Sequence, residues 1–395
     1  MPALVSIPRV ALGSDLGKVV LKIWHESCIL FGAEDLCVNG EDFTFANLDS
    51  PREAGLDLWR RSTSTQSWGL CESLIARSQA CRWQDPEQMI LLADRAVSVA
   101  EGLDPMEYGR EQVADLRART LAELANAYRV ADDLDTAERM LRRAVEWSAR
   151  GTQDPLLLAR LMRLTAGLRS AQRLFPEALS LLDAVYTIYE RHGDRSSAGR
   201  ALISKGLYTG YANDPEGAIR LLSAGLAMIN PATDPKLVLS AVHNLVSFLV
   251  DCGRFEEAHS ILQRARQGYF AEGDRLALLK MGWLEGRIAA GLGETEQAEE
   301  ALVEAQASFA KMGLGYHAAL VSMDIAGIWL PEGKTLEVRR LVEEMVATFR
   351  SRRVAREALA ALLLLKNALE AETGSVALLR TVRNYLRRLE ARPAI

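Results

Sequence analysis

Residues 121–144 read LAELANAYRVADDLDTAERMLRRA, and this stretch decides the fold. Small and apolar residues recur every three or four positions on both sides of a polar break at Asp132 and Asp133. This spacing predicts two amphipathic helices joined by a tight turn.

The same pattern recurs along most of the chain at intervals of 40 or 41 residues. A small residue marks the start of each second helix, at Ala137, Ala178, Ala218, Ala258 and Ala298, with Val338 continuing the series. Aspartates that could cap the N–H groups of each first helix stand at Asp154, Asp194, Asp234 and Asp274. Glycines of the turn within a repeat stand at Gly253, Gly293 and Gly333. Three series with one period predict an array of helical repeats.

The pattern resembles the tetratricopeptide repeat. That family has a Leu, a small residue and a Tyr on its first helix, and Ala, a bulky residue and Ala on its second. The matching residues are Leu124, Ala125, Tyr128, Ala137, Leu141 and Ala144; partial matches are Gly206 with Ala218 and Leu222, and Ala258 with Leu262 and Ala265. The family period is about 34 residues, and we place the extra residues here at the junctions between repeats. The resemblance implies an all-α, right-handed α-solenoid of about eight antiparallel helix hairpins.

Three regions are predicted. Residues 1–68 do not follow the repeat and form an N-terminal extension that caps the first hairpin, which runs from about Trp68 to Glu101. Residues 69–349 form the repeat array. Residues 350–395 form a degenerate, basic capping hairpin. In its second helix we expect an inward apolar stripe and an exposed basic face; the stripe is Val376, Leu379, Val382, Leu386 and Leu389, and the basic face is Arg380, Arg383, Arg387 and Arg388.

Composition and net charge argue against several classes of function. The chain has 395 residues, a net charge of −5 and a pI of about 5.8, which argues against direct nucleic-acid binding. No secretory signal or bilayer-spanning run is visible, so we expect a cytoplasmic protein without membrane contact. The five cysteines are odd in number and scattered, which supports neither a disulfide framework nor a zinc site.

Catalytic motifs are not found. Gly333-Lys334-Thr335 resembles the end of a phosphate-binding loop, but Ile328 stands where that loop needs its first glycine, and the segment falls in a repeat turn. The five histidines are scattered over different repeats or lie outside them. We therefore expect no enzymatic activity, no cofactor and no metal.

The resemblance places the first helices on a concave inner wall. One row of inward positions is Arg119, Arg160, Arg200, Ser240 and Lys280, here called the first-helix row, and four of its five members are basic. The candidate partner-binding residues are Arg119, Asn126, Arg129, Arg160, Arg163, Arg200, Tyr211, His243, Asn244, Lys280, Trp283 and Arg287. Arginine and aromatic side chains suit an acidic or carboxylate-bearing peptide. The alternative is that these arginines pair with acidic residues of the next repeat.

The expected function is a non-catalytic scaffold that holds a peptide or partner protein. The alternative is a ligand- or peptide-responsive sensor arm of a bacterial signalling or transcription-control system. The basic C-terminal hairpin is either a charged cap or a docking site for an acidic partner, including a second copy of the chain.

Overall fold

The structure is a computed structural model that describes residues 67–81, 85–351 and 375–390, together with positions 362, 365, 366 and 369. Nearly all of the predicted N-terminal extension lies outside these residues. Within them the regular elements are sixteen helices, with no strand. The predicted all-α fold is confirmed.

The helices fall into two compact units. The first comprises residues 67–128 and 134–172 of the described chain, and the second comprises residues 129–133 and the described residues from 173 onward. The first unit contains α1 (Trp68–Ala80), α2 (Pro86–Glu101), α3 (Pro105–Tyr108), α4 (Arg110–Val130, without its last two residues), α5 (Leu134–Ser148) and α6 (Pro155–Ala171).

The second unit contains ten helices. They are α7 (Phe175–Arg191), α8 (Arg195–Tyr211), α9 (Pro215–Leu226), α10 (Pro235–Asp251), α11 (Phe255–Glu272), α12 (Arg275–Leu292), α13 (Thr295–Lys311), α14 (Gly315–Trp329), α15 (Thr335–Ser351) and α16 (Val376–Glu390). Consecutive helices pack as hairpins, with α8 on α9, α10 on α11, α12 on α13 and α14 on α15. The first helices of successive repeats here are α8, α10, α12 and α14.

The aspartate series caps the first helices as predicted. Asp154 accepts a hydrogen bond from the backbone N–H of Leu156 at 2.9 Å, and Asp194 accepts one from Ser197 at 2.9 Å. Asp234 and Asp274 do the same for α10 and α12. Each carboxylate satisfies a donor that the helix cannot pair internally.

The turn within a repeat requires a left-handed residue. Gly253, Gly293 and Gly333 have φ of 76°, 85° and 75°. One and two periods before Gly253 the same position is Asn213, with φ of 75°, and Arg173, with φ of 66°. The turn therefore keeps its left-handed residue in repeats where that residue is not glycine. The glycine series alone underestimates the number of repeats.

The marker residues lie where helices approach closely. Ala137, Ala178, Ala218, Ala258, Ala298 and Val338 have no exposed surface. At Gly206 a Cβ atom would stand 2.9 Å from Leu222 Cγ and 3.2 Å from the Ala218 carbonyl oxygen, so only glycine fits between α8 and α9. The register read from the sequence is confirmed.

The C-terminal helix departs from its prediction at two points. Leu379, Val382 and Leu386 are buried as expected, but Val376 is 37% exposed because it begins the helix. Arg383 was predicted to be exposed and instead forms an ion pair with Asp324 of α14. The side chains of Arg387, Arg388 and Leu389 lie outside the described part of α16.

We predict that Ala258→Leu lowers the free energy of unfolding by about 1–3 kcal/mol, because the larger side chain overpacks the α10–α11 contact. Ala310→Leu is the control, since Ala310 is exposed on α13. Urea denaturation followed by circular dichroism measures both. An unchanged midpoint for Ala258→Leu would show that the repeat register is wrong.

We also predict opposite effects of one substitution at two glycines of the same repeat. Gly293→Ala destabilises by about 1 kcal/mol, because an L residue is strained at φ of 85°. Gly282→Ala stabilises by about 0.5–1 kcal/mol, because Gly282 lies inside α12 with open space around its Cβ direction. Thermal unfolding of the two variants should shift in opposite directions.

Candidate functional site

The three arginines of the first-helix row are paired with carboxylates of neighbouring repeats. Arg119 of α4 bonds to Glu72 of α1, and Arg160 of α6 contacts Glu123 of α4 through two nitrogens at 2.6 and 3.1 Å. In the second unit Arg200 lies 2.5 Å from Asp234, which also caps α10. The ion pairs of the alternative interpretation therefore exist, although Arg119 and Arg160 pair with the preceding repeat rather than the next.

Burial lowers the pKa of Arg119, the first residue of this row. Desolvation, together with the nearby Arg160 guanidinium, lowers the pKa of Arg119 to about 10, and the Glu123 carboxylate opposes that shift. Arg119 stays protonated at neutral pH. The three arginine side chains keep partial access to solvent, with 24%, 22% and 12% of the Arg119, Arg160 and Arg200 side chains accessible.

The remaining predicted residues differ in exposure. Asn126 and Arg129 are buried. A half-buried group comprises Arg163, Tyr211, His243, Asn244 and Lys280. Asn244 and Lys280 lie on the first helices of consecutive repeats, α10 and α12.

Trp283 and Arg287 belong to a buried polar network centred on Asp324. The Trp283 indole N–H donates to Asp324 Oδ2 at 2.8 Å, and Arg287 Nε lies 3.6 Å from the same oxygen. Arg383 Nη1 of α16 donates to Asp324 Oδ1 at 2.6 Å. These contacts join α12, α14 and α16 through a single carboxylate.

Arg287 extends the network to α10. Its Nη2 donates to Asp251 Oδ1 at 2.7 Å, and its Nη1 lies 3.4 Å from the Ser247 hydroxyl. Sequence reasoning placed Trp283 and Arg287 on a ligand-facing wall and missed Asp324. The signal in the sequence was Asp324 itself, the one carboxylate in the largely apolar segment GYHAALVSMDIAGIW. A carboxylate on a buried helix indicates a basic partner nearby.

The part of the chain that the structure describes offers few groups for a metal site, a membrane span or a reactive thiol. No group of three or more His, Cys, Asp or Glu residues there could hold a metal ion, and none of its helices is long and apolar enough to cross a membrane. Burial raises the pKa of the Cys71 thiol to about 12, which leaves it protonated and unreactive at neutral pH. Lys334 of the loop-like Gly-Lys-Thr segment bonds to Glu299 and Glu332 in a repeat turn.

We predict that Asp324→Asn lowers the free energy of unfolding by about 3 kcal/mol, because it leaves the buried Arg287 and the half-buried Arg383 without this countercharge. Glu285→Gln is the matched control: it removes an accessible pair with Arg266 at 3.3 Å and should cost less than about 1 kcal/mol. Denaturant unfolding of both variants checks the difference. Equal effects would show that the Asp324 network contributes no more than a surface pair.

Comparison with known proteins bears on the fold. The sequence model of the tetratricopeptide repeat family matches residues 238–269, which lie in α10 and α11. No curated protein matches the chain. Among solved structures, a Rap protein complexed with Competence and Sporulation Factor superposes with a TM-score of 0.59 at 12% identity, covering 81% of this chain and 87% of that one.

Two further structures are similar. Aspartyl phosphate phosphatase F from Bacillus subtilis gives a TM-score of 0.53 at 15% identity, covering 76% of each chain. A signal transduction ATPase with a tetratricopeptide repeat sensor, from Pyrococcus horikoshii, gives 0.51 at 14% identity, covering 85% of this chain and 54% of that one. Similarity at this level of identity concerns the fold. Together with the repeat register, it shows an α-solenoid fold built from repeats of about 40 residues, in which residues 238–269 match the tetratricopeptide repeat model.

Proposed function

We propose that the chain is a non-catalytic interaction module that holds a peptide segment of a partner protein against its first helices. In each unit, the residues proposed to contact such a segment are that unit's own members of the first-helix row and their half-buried neighbours. Trp283 and Arg287 then shape the wall from within, because both are engaged in the Asp324 network.

The observation that carries this proposal is the geometry at Arg160. Two of its nitrogens contact a single oxygen, Glu123 Oε1, and the side chain keeps partial access to solvent. A guanidinium has five N–H donors, so the others can engage a ligand carboxylate while the ion pair is kept. A wall of such pairs favours acidic peptide groups without leaving a buried charge unpaired in the free protein.

The second unit offers a complementary set of groups. The Asn244 amide can donate to and accept from the main chain of an extended peptide, and Lys280 one repeat later can meet a carboxylate. A preformed wall of this kind needs little ordering on binding, which favours affinity from a modest contact area.

The similar structures support an interaction role. One of them is a Rap protein with a bound factor, and another carries its tetratricopeptide repeats as a sensor. The second candidate function, a sensor arm, is favoured by the Asp324 network, because one carboxylate ties α12, α14 and α16 together. A ligand that moved any of these helices would change the contacts of the others, as coupling between sites requires.

We predict that peptides selected from a random display library on the immobilised full chain lose affinity when the second-unit wall is altered. Lys280→Ala and Asn244→Ala should each raise the Kd of a selected peptide about tenfold, which corresponds to about 1.4 kcal/mol. Lys311→Ala is the control, since Lys311 is an exposed lysine at the end of a second helix. The Kd values can be measured by fluorescence anisotropy.

Two outcomes would contradict the proposal. One is a library that yields no binder above background on the folded protein. The other is a set of binders whose affinity is the same for Lys280→Ala, Asn244→Ala and Lys311→Ala, which would place their site elsewhere on the molecule.

A further inference from the structure

The first-helix row is mostly basic up to Lys280, and the next position of the same series is apolar. The position 40 residues after Lys280 is Leu320 of α14, so a basic row becomes apolar there. Lys280 is half-buried, whereas Leu320 is 1% exposed. Some other element must therefore cover α14 where the corresponding surface of α12 is partly open.

One covering element is α16, and the buried residues Leu362, Leu365 and Leu369 belong to the same apolar cluster as Leu320. Tyr316, Leu320, Asp324 and Gly327 follow one another at helical spacing and form a stripe on α14, here called the α14 stripe. The Tyr316 hydroxyl donates to the Leu386 carbonyl, and Asp324 pairs with Arg383. A Cβ atom at Gly327 would lie 3.7 Å from Leu379 Cδ2. Three contacts thus place α16 along the whole stripe.

The contact face of α16 has the pattern of a helix bound in a groove. Leu379, Val382 and Leu386 share one apolar core cluster with Leu320 of the stripe. Together with Arg383 they occupy positions i, i+3, i+4 and i+7, which is the anchor spacing by which amphipathic helices dock into grooves. Arg383 meets a carboxylate that is 5% exposed, so the pair selects for a basic residue at that one position.

We propose that the α14 stripe is a helix-docking surface, that α16 is its intramolecular occupant, and that the partner it accepts is an amphipathic helix with the α16 pattern. This deepens the proposed function by naming the class of partner for this end of the wall. Such a helix carries apolar residues at i, i+3 and i+7 and an arginine at i+4. It competes with α16 for Leu320 and Asp324.

The competition follows from effective concentration. A tethered helix is present at roughly millimolar effective concentration, so a free helix of equal fit binds the intact protein weakly. The apparent Kd of the free helix equals the intrinsic Kd divided by the fraction of molecules in which α16 has moved away. Weakening the tethered helix must therefore tighten binding of the free one.

The experiment uses the full chain and a fluorescent peptide of residues 375–390, SVALLRTVRNYLRRLE. Arg383→Ala in the protein removes the pair on α16 and leaves Asp324 bonded to Trp283 and near Arg287. We expect this variant to bind the peptide at least tenfold more tightly than the unmodified protein. Arg380→Ala is the matched control, because Arg380 lies exposed on the same helix, and it should leave the Kd unchanged.

A second arm tests specificity. A peptide in which the arginine equivalent to Arg383 is replaced by glutamate should bind the Arg383→Ala protein at least tenfold more weakly than the unmodified peptide. The proposal is overturned if Arg383→Ala binds the peptide no better than Arg380→Ala. It is also overturned if the variants take up no peptide and instead form a dimer, since the occupant would then be α16 of a second copy.

Hydrogen exchange on the unmodified protein keeps the proposal testable if the variant fails to fold. The amides of α16 should exchange at least tenfold faster than those of α12 and α13, because a displaceable helix opens without global unfolding. Equal protection would make α16 an inseparable part of the core. A failure here leaves the Lys280- and Asn244-dependent peptide site untouched, so the two proposals fail separately.

Discussion

The close approach of paired helices is the constraint on which the array depends. Ala258 has no exposed surface, and Gly206 sits where a methyl group would collide with Leu222. Side chains this small allow the helices of a hairpin to approach until their larger neighbours interdigitate, and dense packing of this kind tolerates little change in volume. Because the marker residues from Ala137 to Val338 are all buried, the 40-residue period of the sequence corresponds to a packing contact that recurs between helices.

The residues at the helix ends determine where each helix begins and where the chain turns, and the core residues determine how closely the helices pack. Asp194 and Asp274 cap first helices through their carboxylates, while Gly253 and Gly293 turn the chain within the repeat. Caps and left-handed turns depend on residues close in sequence, so the sequence alone predicts them. The repeat register and the helix boundaries, including the first hairpin from Trp68 to Glu101, could be predicted for the same reason.

The contents of the candidate wall could not be predicted as well, because they depend on contacts between residues far apart in the chain. Arg160 meets Glu123, 37 positions away, and Arg383 meets Asp324, 59 positions away. Periodicity placed Trp283 on an inward face but could not say that Asp324 would take its indole proton. Arg383 is a further example. Its position on α16 alone predicts exposure, but it pairs with a buried carboxylate of another helix, Asp324.

The row of basic residues and the Asp324 network are two solutions to one electrostatic problem. First helices lie side by side, so a charge on one must be met by its neighbour or by solvent. At Arg160 the pair with Glu123 leaves 22% of the arginine side chain accessible to solvent. Where α16 packs against α14, Leu320 stands in place of the basic residue and is buried, and Asp324 is met by Trp283, Arg287 and Arg383. The row therefore changes from charged to apolar where α16 packs against α14.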